Sequence, residues 1–252
     1  MELQLKGKRV IVTGASRGIG RAIAERLADE GAALAICARD GDGLADASEA
    51  LEQRSPQVVA SAVDIRDPER LRGFIADAID ALGGLDVLVC NPSAYGGEDD
   101  DAWRGTFETD LMGAVRAVAV ARGALSRSDS GSVVFLGSTA AIETFAGPIS
   151  YGPLKAALIV HAKELARALA PDGVRVNVVS PGPVFFPGGV WDMIREHQPE
   201  FYESTLESCP QGRLGSPGEI ANVVAFLASP AASLLTGANV VVDGGFTKRV
   251  NF

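Results

Sequence analysis

Tyr151 and Lys155 stand four residues apart in a stretch with helical spacing, so a phenol and an ammonium share one face, one turn apart. A phenol of pKa about 10 is a poor base near neutrality, but a neighbouring ammonium favours the phenolate and makes the pair a usable acid–base device. Such a spacing arises by chance on amphipathic helices. What distinguishes this one is that it follows an apolar run, 132–137, that delivers Ser138 to a strand end, where open α/β sheets bind ligands. Thr139 is the competing hydroxyl, and strand alternation points the two to opposite sides. A second constellation is Gly14-Ala15-Ser16-Arg17-Gly18-Ile19-Gly20, which follows the run Arg9–Thr13 and opens a helix. Glycines there allow a tight turn and close approach of the backbone to a pyrophosphate, at which the helix aims its free N–H groups and positive dipole. His161 and His197 are far apart, the cysteines at 37, 90 and 209 are scattered, and no metal-ligand cluster is present.

The elements that must position these residues alternate from one end to the other. Strands are expected at Arg9–Thr13, Ala33–Ala38, Val58–Val63, Leu85–Cys90, Ser132–Gly137, Val174–Val179 and Asn239–Val242, as near-continuous apolar runs buried on both faces. Helices are expected over 19–30, 42–54, 67–82, 100–127, 150–170 and 217–228. Pro153 is tolerable only in a first turn, so that helix begins near Ser150. The alternation predicts a single-domain α/β fold over 1–252, a Rossmann-type doubly wound parallel sheet of about seven strands with helices on both faces. Residues 183–213 fall outside the alternation and read as a substrate-binding lid.

Composition narrows the partners. The net charge of −9 excludes a nucleic-acid footprint. The run Glu98–Asp101 reads as a solvated helix start. No apolar run approaches the ~20 residues that span a bilayer. The N-terminus lacks the pattern of a secretory leader, and the scattered thiols fit a reducing cytoplasm.

The order Thr13-Gly14-x-x-x-Gly18-x-Gly20, Asp64, Asn91, Ser138, Tyr151-x-x-x-Lys155, Asn177, Pro181-Gly182 and Asp243-Gly244-Gly245 resembles the short-chain dehydrogenase/reductase family over nearly the whole chain, with 3-oxoacyl-[acyl-carrier-protein] reductases as the closest general likeness. The resemblance implies a hydride passed between nicotinamide C4 and a ketone or secondary alcohol, with Ser138 donating to the substrate oxygen, Tyr151 exchanging the proton, and Lys155 holding the nicotinamide ribose while tuning Tyr151. It implies dinucleotide contacts from Gly14, Ser16, Arg17, Gly18, Ile19 and Gly20 in the turn. Further contacts would come from Asp64 and Ile65 after the third strand, Asn91 after the fourth, and Pro181, Gly182 and Val184 after the sixth. At the end of the second strand Arg39 and Asp40 carry opposite signs. A 2′-phosphate needs a cation, a free 2′-OH a carboxylate. The resemblance places Arg39 at the deciding position and Arg17 beside it, so NADP(H) is preferred over NAD(H), with Asp40 as the support for NAD(H).

The chain departs from the family pattern at four places. Asp110 stands where the family has an Asn in a proton relay, and we expect it to take over that role. Pro92 replaces a small residue after Asn91, Pro153 enters the Tyr–Lys helix, and Phe186 replaces a cofactor-contacting Thr. Residues 183–213 carry Phe185, Phe186, Trp191, Phe201 and Tyr202, in a chain with ten Phe, three Tyr and two Trp. Apolar surface there predicts a substrate with hydrophobic or aromatic parts, with Phe185 and Trp191 at the pocket, about half of these rings packing the lid instead, and Tyr95, Glu143 and Phe145 also at hand. The acidic balance of that segment suits a free small carbonyl better than an acidic carrier protein. The tail resembles the family's pairing surface, implying a homotetramer or a dimer. Two other readings stand beside this one: an NAD-dependent alcohol dehydrogenase, and a non-catalytic NADPH-binding regulator.

Overall fold

The structure, a computed structural model, describes residues 2–144 and 147–250. Strands β1 (Arg9–Thr13), β2 (Ala33–Ala38), β3 (Val58–Ala62), β4 (Val87–Cys90), β5 (Ser132–Leu136), β6 (Arg175–Pro181) and β7 (Asn239–Val242) form one parallel sheet in the order β3-β2-β1-β4-β5-β6-β7. Parallel neighbours need a crossover, and helices supply it: α1 (Gly18–Asp29), α2 (Gly41–Glu52), α3 (Pro68–Leu82), α4 (Asp100–Thr106), α5 (Gly113–Leu125), α6 (Tyr151–Leu169) and α9 (Pro217–Ala228). The strand order reverses between β1 and β4, which opens a crevice above their C-terminal ends.

Residue alternation in each strand feeds two cores. Ile11, Leu88, Val133 and Phe135 face α3, α5 and α6 through Leu71, Ile75, Ala117 and Leu158. Val10, Val12, Leu34 and Ile36 face α1 and α9 through Ile23, Leu27, Ile220 and Val224. Each of the Val, Leu, Ile and Phe side chains among them, taken fully out of water, stabilises the fold by about 1.5–3 kcal/mol.

The N-terminal edge of the sheet is pinned by charge. Asp86 accepts from Arg9 N–H (2.8 Å), Arg9 Nε (2.9 Å), Arg9 Nη2 (2.9 Å) and Ser128 Oγ (2.6 Å). Burial works to raise the Asp86 pKa, but the hydrogen bonds from Arg9 and Ser128 outweigh it and hold the carboxyl at about 2. Arg175, also buried, donates to the carbonyls of Leu227, Ala228 and Ser229 and so meets the negative end of α9.

Two sequence expectations need correction, and a third region gains detail. The stretch 100–127 is not one helix: a π-helical turn at Phe107–Met112 separates α4 from α5. Apolar periodicity carries straight through such a turn, so the pattern does not reveal it. Edge strands β3 and β7 are half-buried rather than sealed on both faces, because each has a neighbour on one side only. Residues 183–213 hold two helices, α7 (Val190–His197) and α8 (Pro199–Ser208), with Pro199 at the first position of the second. Asp99 caps α4 by accepting from Ala102 N–H (2.8 Å), which agrees with the helix-start reading of the acidic run.

Candidate active site

A cleft of about 1190 Å³ lies over the C-terminal ends of β1, β4 and β5, and both sequence constellations open onto it. At one end β1 turns through Gly14 (φ +71°) and Gly18 (φ +58°) into α1. A side chain on Gly20 would collide with the Gly14 carbonyl, and Asn91 Nδ2 donates to that same carbonyl (2.8 Å), tying the turn to the end of β4. Pro92 packs its ring on Gly14, so the stiffened loop braces the turn. Asp67 and Asp99 cap α3 and α4, but α1 has no side-chain cap at Arg17 and no carboxylate in its first turn. Its leading N–H groups and dipole are left for an anionic ligand, so the residues present fit a dinucleotide pyrophosphate.

Ser16, Arg17, Ile19, Arg39, Asp40, Asp64, Ile65, Pro181, Gly182 and Val184 all line this cleft, as the sequence places them. Asp64 pairs with Arg66 (2.6 Å), whose hydrogen bond holds its carboxyl below the usual range. Asp40 turns its carboxylate over Gly43 in the first turn of α2, towards the positive end of that helix. Arg17 Nη1 donates to Gly188 O (3.0 Å), and the Phe186 ring lies on Gly18, where a Cβ would come within 2.5 Å of it. The segment after β6 therefore touches the glycine turn at two points. Neither contact is visible as a sequence pattern.

At the other end α6 starts at Tyr151, with Pro153 in its first turn as expected. Lys155, one turn on, is buried; its Nζ donates to Leu136 O (2.8 Å) and lies 3.1 Å from Asp110 Oδ2 and 5.7 Å from the centre of the Tyr151 ring. Burial alone would strip the ammonium, but Asp110 and Tyr151 prevail and hold the Lys155 pKa above its ordinary value. Asp110 sits in the π-helical turn, and its Oδ1 accepts from Ala94 N–H (2.9 Å). Ser138 Oγ accepts from Ala140 N–H (3.1 Å), a local turn that fixes the oxygen and leaves its O–H free to donate. Thr139 does not take the opposite face of a strand: β5 ends at Leu136, and Thr139 starts a short 3₁₀ turn with its hydroxyl buried and unpartnered.

The outer wall is built from Ile149, Val190, Trp191, Ile194 and Phe201, with Gln198 as its polar member and Trp191 and Phe201 stacked at 5.9 Å. Phe185 does not join the cleft. It lies under the Arg195 guanidinium (4.9 Å) and packs α7 in place, while its neighbour Phe186 faces the cleft instead. A run of two phenylalanines cannot tell which ring turns inward. Tyr95 lines the cleft, Glu143 accepts instead from Lys248 N–H (3.0 Å), and Phe145 lies outside the described residues. Among the described residues no group of His, Cys, Asp and Glu could hold a metal ion, and no helix is long and apolar enough to cross a membrane.

Residues 14–247 match the family model described as enoyl-(acyl carrier protein) reductase. The chain is 37% identical to isoepoxydon dehydrogenase of Penicillium expansum, with 98% of each chain covered. It is 36% identical to a 3-oxoacyl-[acyl-carrier-protein] reductase of Vibrio cholerae serotype O1, over 96% of this chain and 98% of the other. Among solved structures, L-sorbose reductase from Gluconobacter frateurii in complex with NADPH and L-sorbose superposes with a TM-score of 0.91 at 30% identity, covering 99% of this chain and all of the other. An NAD+-bound xylitol dehydrogenase gives a TM-score of 0.89 at 28% identity, covering 96% of this chain and all of the other. With the glycine turn, Ser138, Tyr151 and Lys155 in one cleft, these likenesses place the chain in the short-chain dehydrogenase/reductase family, as an oxidoreductase that acts on a carbonyl or alcohol with a nicotinamide cofactor.

Proposed function

We propose that the chain interconverts a small, partly apolar ketone and its secondary alcohol with NADP(H), using Tyr151 as the acid–base group. The observation that carries this reading is the buried Lys155 ammonium beside the Tyr151 ring, in the same cleft as Ser138 and the uncapped start of α1. The bound nicotinamide supplies or accepts the hydride at the carbonyl carbon. Tyr151 gives its proton to the carbonyl oxygen as reduction proceeds and takes it back in oxidation. Ser138 donates to the same oxygen and stabilises the charge that gathers there. Lys155 holds its ammonium beside the Tyr151 ring, and Asp110 keeps Lys155 charged. Residues 183–213 act as the substrate-covering segment of a single domain, and their apolar wall suits a compact hydrophobic body.

The preference for NADP(H) rests on Arg39, which lines the cleft beside the end of β2, with Arg17 in the glycine turn as a second cation on the same cleft; Asp40, at the start of α2, lines it too. Asp40 and the NAD+-bound neighbour favour the second reading, oxidation with NAD+. Absorbance at 340 nm with NADPH and NADH against a panel of small ketones tests both. NADPH is expected to support turnover, and Arg39→Ala to raise KM for NADPH about tenfold or more with little change for NADH. Turnover with NADH alone would overturn the arginine argument.

Exposed apolar side chains at Trp103 and Phe107, at Val160, and at Leu234 and Leu235 before β7 support a homotetramer, and the scattered thiols suit a cytoplasmic protein. Light scattering on the eluted protein checks the assembly.

A further inference from the structure

Tyr95 is held in a backbone conformation that its residue type resists. Its φ is +64°, in the left-handed region where a bulky side chain is an outlier and where a glycine would sit without strain. The surroundings impose it from both sides. Tyr95 N–H donates to Ser93 Oγ (3.0 Å), and Ala94 N–H donates to Asp110 Oδ1 (2.9 Å). Gly96 presses its backbone against Tyr151, where a Cβ would come within 2.8 Å of Tyr151 Cβ. Gly97 exchanges two hydrogen bonds with Ser150: its carbonyl accepts from Ser150 N–H (2.9 Å), and its N–H donates to Ser150 Oγ (3.2 Å). The loop is thus fastened to the start of α6 and to the partner of Lys155, and Tyr95 is carried with them.

Nearly half of Tyr95 is exposed, at 45%, and the residue lines the cleft. Burial and the neighbouring Tyr151 push its pKa up, with Arg17 and Lys155 pulling the other way, so the phenol stays an O–H donor at neutral pH. Among the described residues that hydroxyl has no hydrogen-bond partner, and it belongs to the same cleft as Ser138 and Tyr151. Reduction of one carbonyl uses two of these hydroxyls on the reacting oxygen. The third is left over, beside a wall that is apolar but for Gln198.

We propose that Tyr95 is a specificity-determining residue whose hydroxyl binds a second oxygen of the substrate, close to the reacting carbon, so that the preferred substrates are hydroxyketones, diketones or vicinal diols rather than plain ketones. This rests on the catalytic reading above. A site built to hydrogen-bond a substrate oxygen disfavours the analogue that lacks it, because the site's own polar group is then left without a partner.

The test compares cyclohexanone with 2-hydroxycyclohexanone in turnover. It also compares cyclohexanol with cyclohexane-1,2-diol in calorimetric binding to the NADPH-loaded chain, where the alcohols cannot be oxidised. In both arms the oxygenated member is expected to be favoured about tenfold or more, and Tyr95→Phe, which keeps ring and backbone, to remove that preference while leaving the plain member within about twofold. Equal treatment of the two members by the native chain, or an equal loss for both in Tyr95→Phe, overturns the proposal. Full turnover of 2-hydroxycyclohexanone by Tyr151→Phe would instead sink the catalytic reading and leave the binding result standing.

Discussion

Two buried carboxylates at opposite ends of the strands, Asp86 and Asp110, each pair with a cation, and the pairs are built differently. Below β1 and β4, Asp86 receives four hydrogen bonds from Arg9 and Ser128, and Arg9 spends a further N–H on Gly83 O. Above the sheet, Asp110 Oδ2 meets Lys155 Nζ at 3.1 Å without a well-directed hydrogen bond, and Lys155 has one carbonyl besides. A small hollow adjoins that pair, lined by Thr13, Cys90 and Thr109, with room for about one water. A saturated pair fixes the chain. An unsaturated one, next to a phenol in a cleft, has capacity left for protons and ligands. The two pairs differ in hydrogen-bond satisfaction as well as in burial, the Lys155–Asp110 pair being the deeper and the less saturated.

The contrast breaks most visibly at Lys155. Lys155→Met is expected to lower kcat by about 10²–10⁴, read at 340 nm, and to lower Tm because Asp110 is left buried without a cation. Adding Asp110→Asn to that variant should recover Tm and none of the activity. Near-native turnover in the single variant would mean that the upper pair is structural too.

At the lower pair the expected effects are reversed. Asp86→Asn should cost about 2 kcal/mol in urea unfolding, with kcat and KM within about twofold of native. The pH dependence follows from the sign of the shift. The folded pKa of Asp86, about 2, lies below the ordinary carboxylate value, so its contribution is whole above pH of about 4 and is lost as pH falls from about 4 to 2. The variant should lack that part of the acid transition; an unchanged acid profile would show that Arg9 and Ser128 contribute little.

The mildest change sharpens the contrast. Asp110→Asn keeps an acceptor for Ala94 N–H but removes the carboxylate oxygen facing Lys155, which retains Leu136 O, and turnover is expected within an order of magnitude of native. A complete loss in steady-state assays would show that the carboxylate's charge is itself required.

Much of this arrangement was legible before any coordinates. Continuous apolar runs marked the central strands, because only a doubly covered parallel sheet buries both faces. The glycine spacing, Ser138, and Tyr151 with Lys155 could be read because each sits beside a strand end or helix start that the same pattern reveals. Asp110 was readable only through resemblance, since nothing in its neighbourhood announces a lysine 45 positions away. What escaped depends on long-range packing: which of Phe185 and Phe186 turns inward, the contact of Arg17 with Gly188, and the left-handed backbone at Tyr95. The last had a faint signal in Tyr95-Gly96-Gly97, a flexible run that lets the chain bend sharply against α6.

The acid–base role of Tyr151 stands or falls with Tyr151→Phe, measured for turnover at 340 nm and, on the same preparation, for NADPH binding by fluorescence. Turnover lower by about 10³ or more with nucleotide affinity and Tm retained is the predicted result. A folded, nucleotide-binding variant that still reduces ketones at the native rate would contradict it.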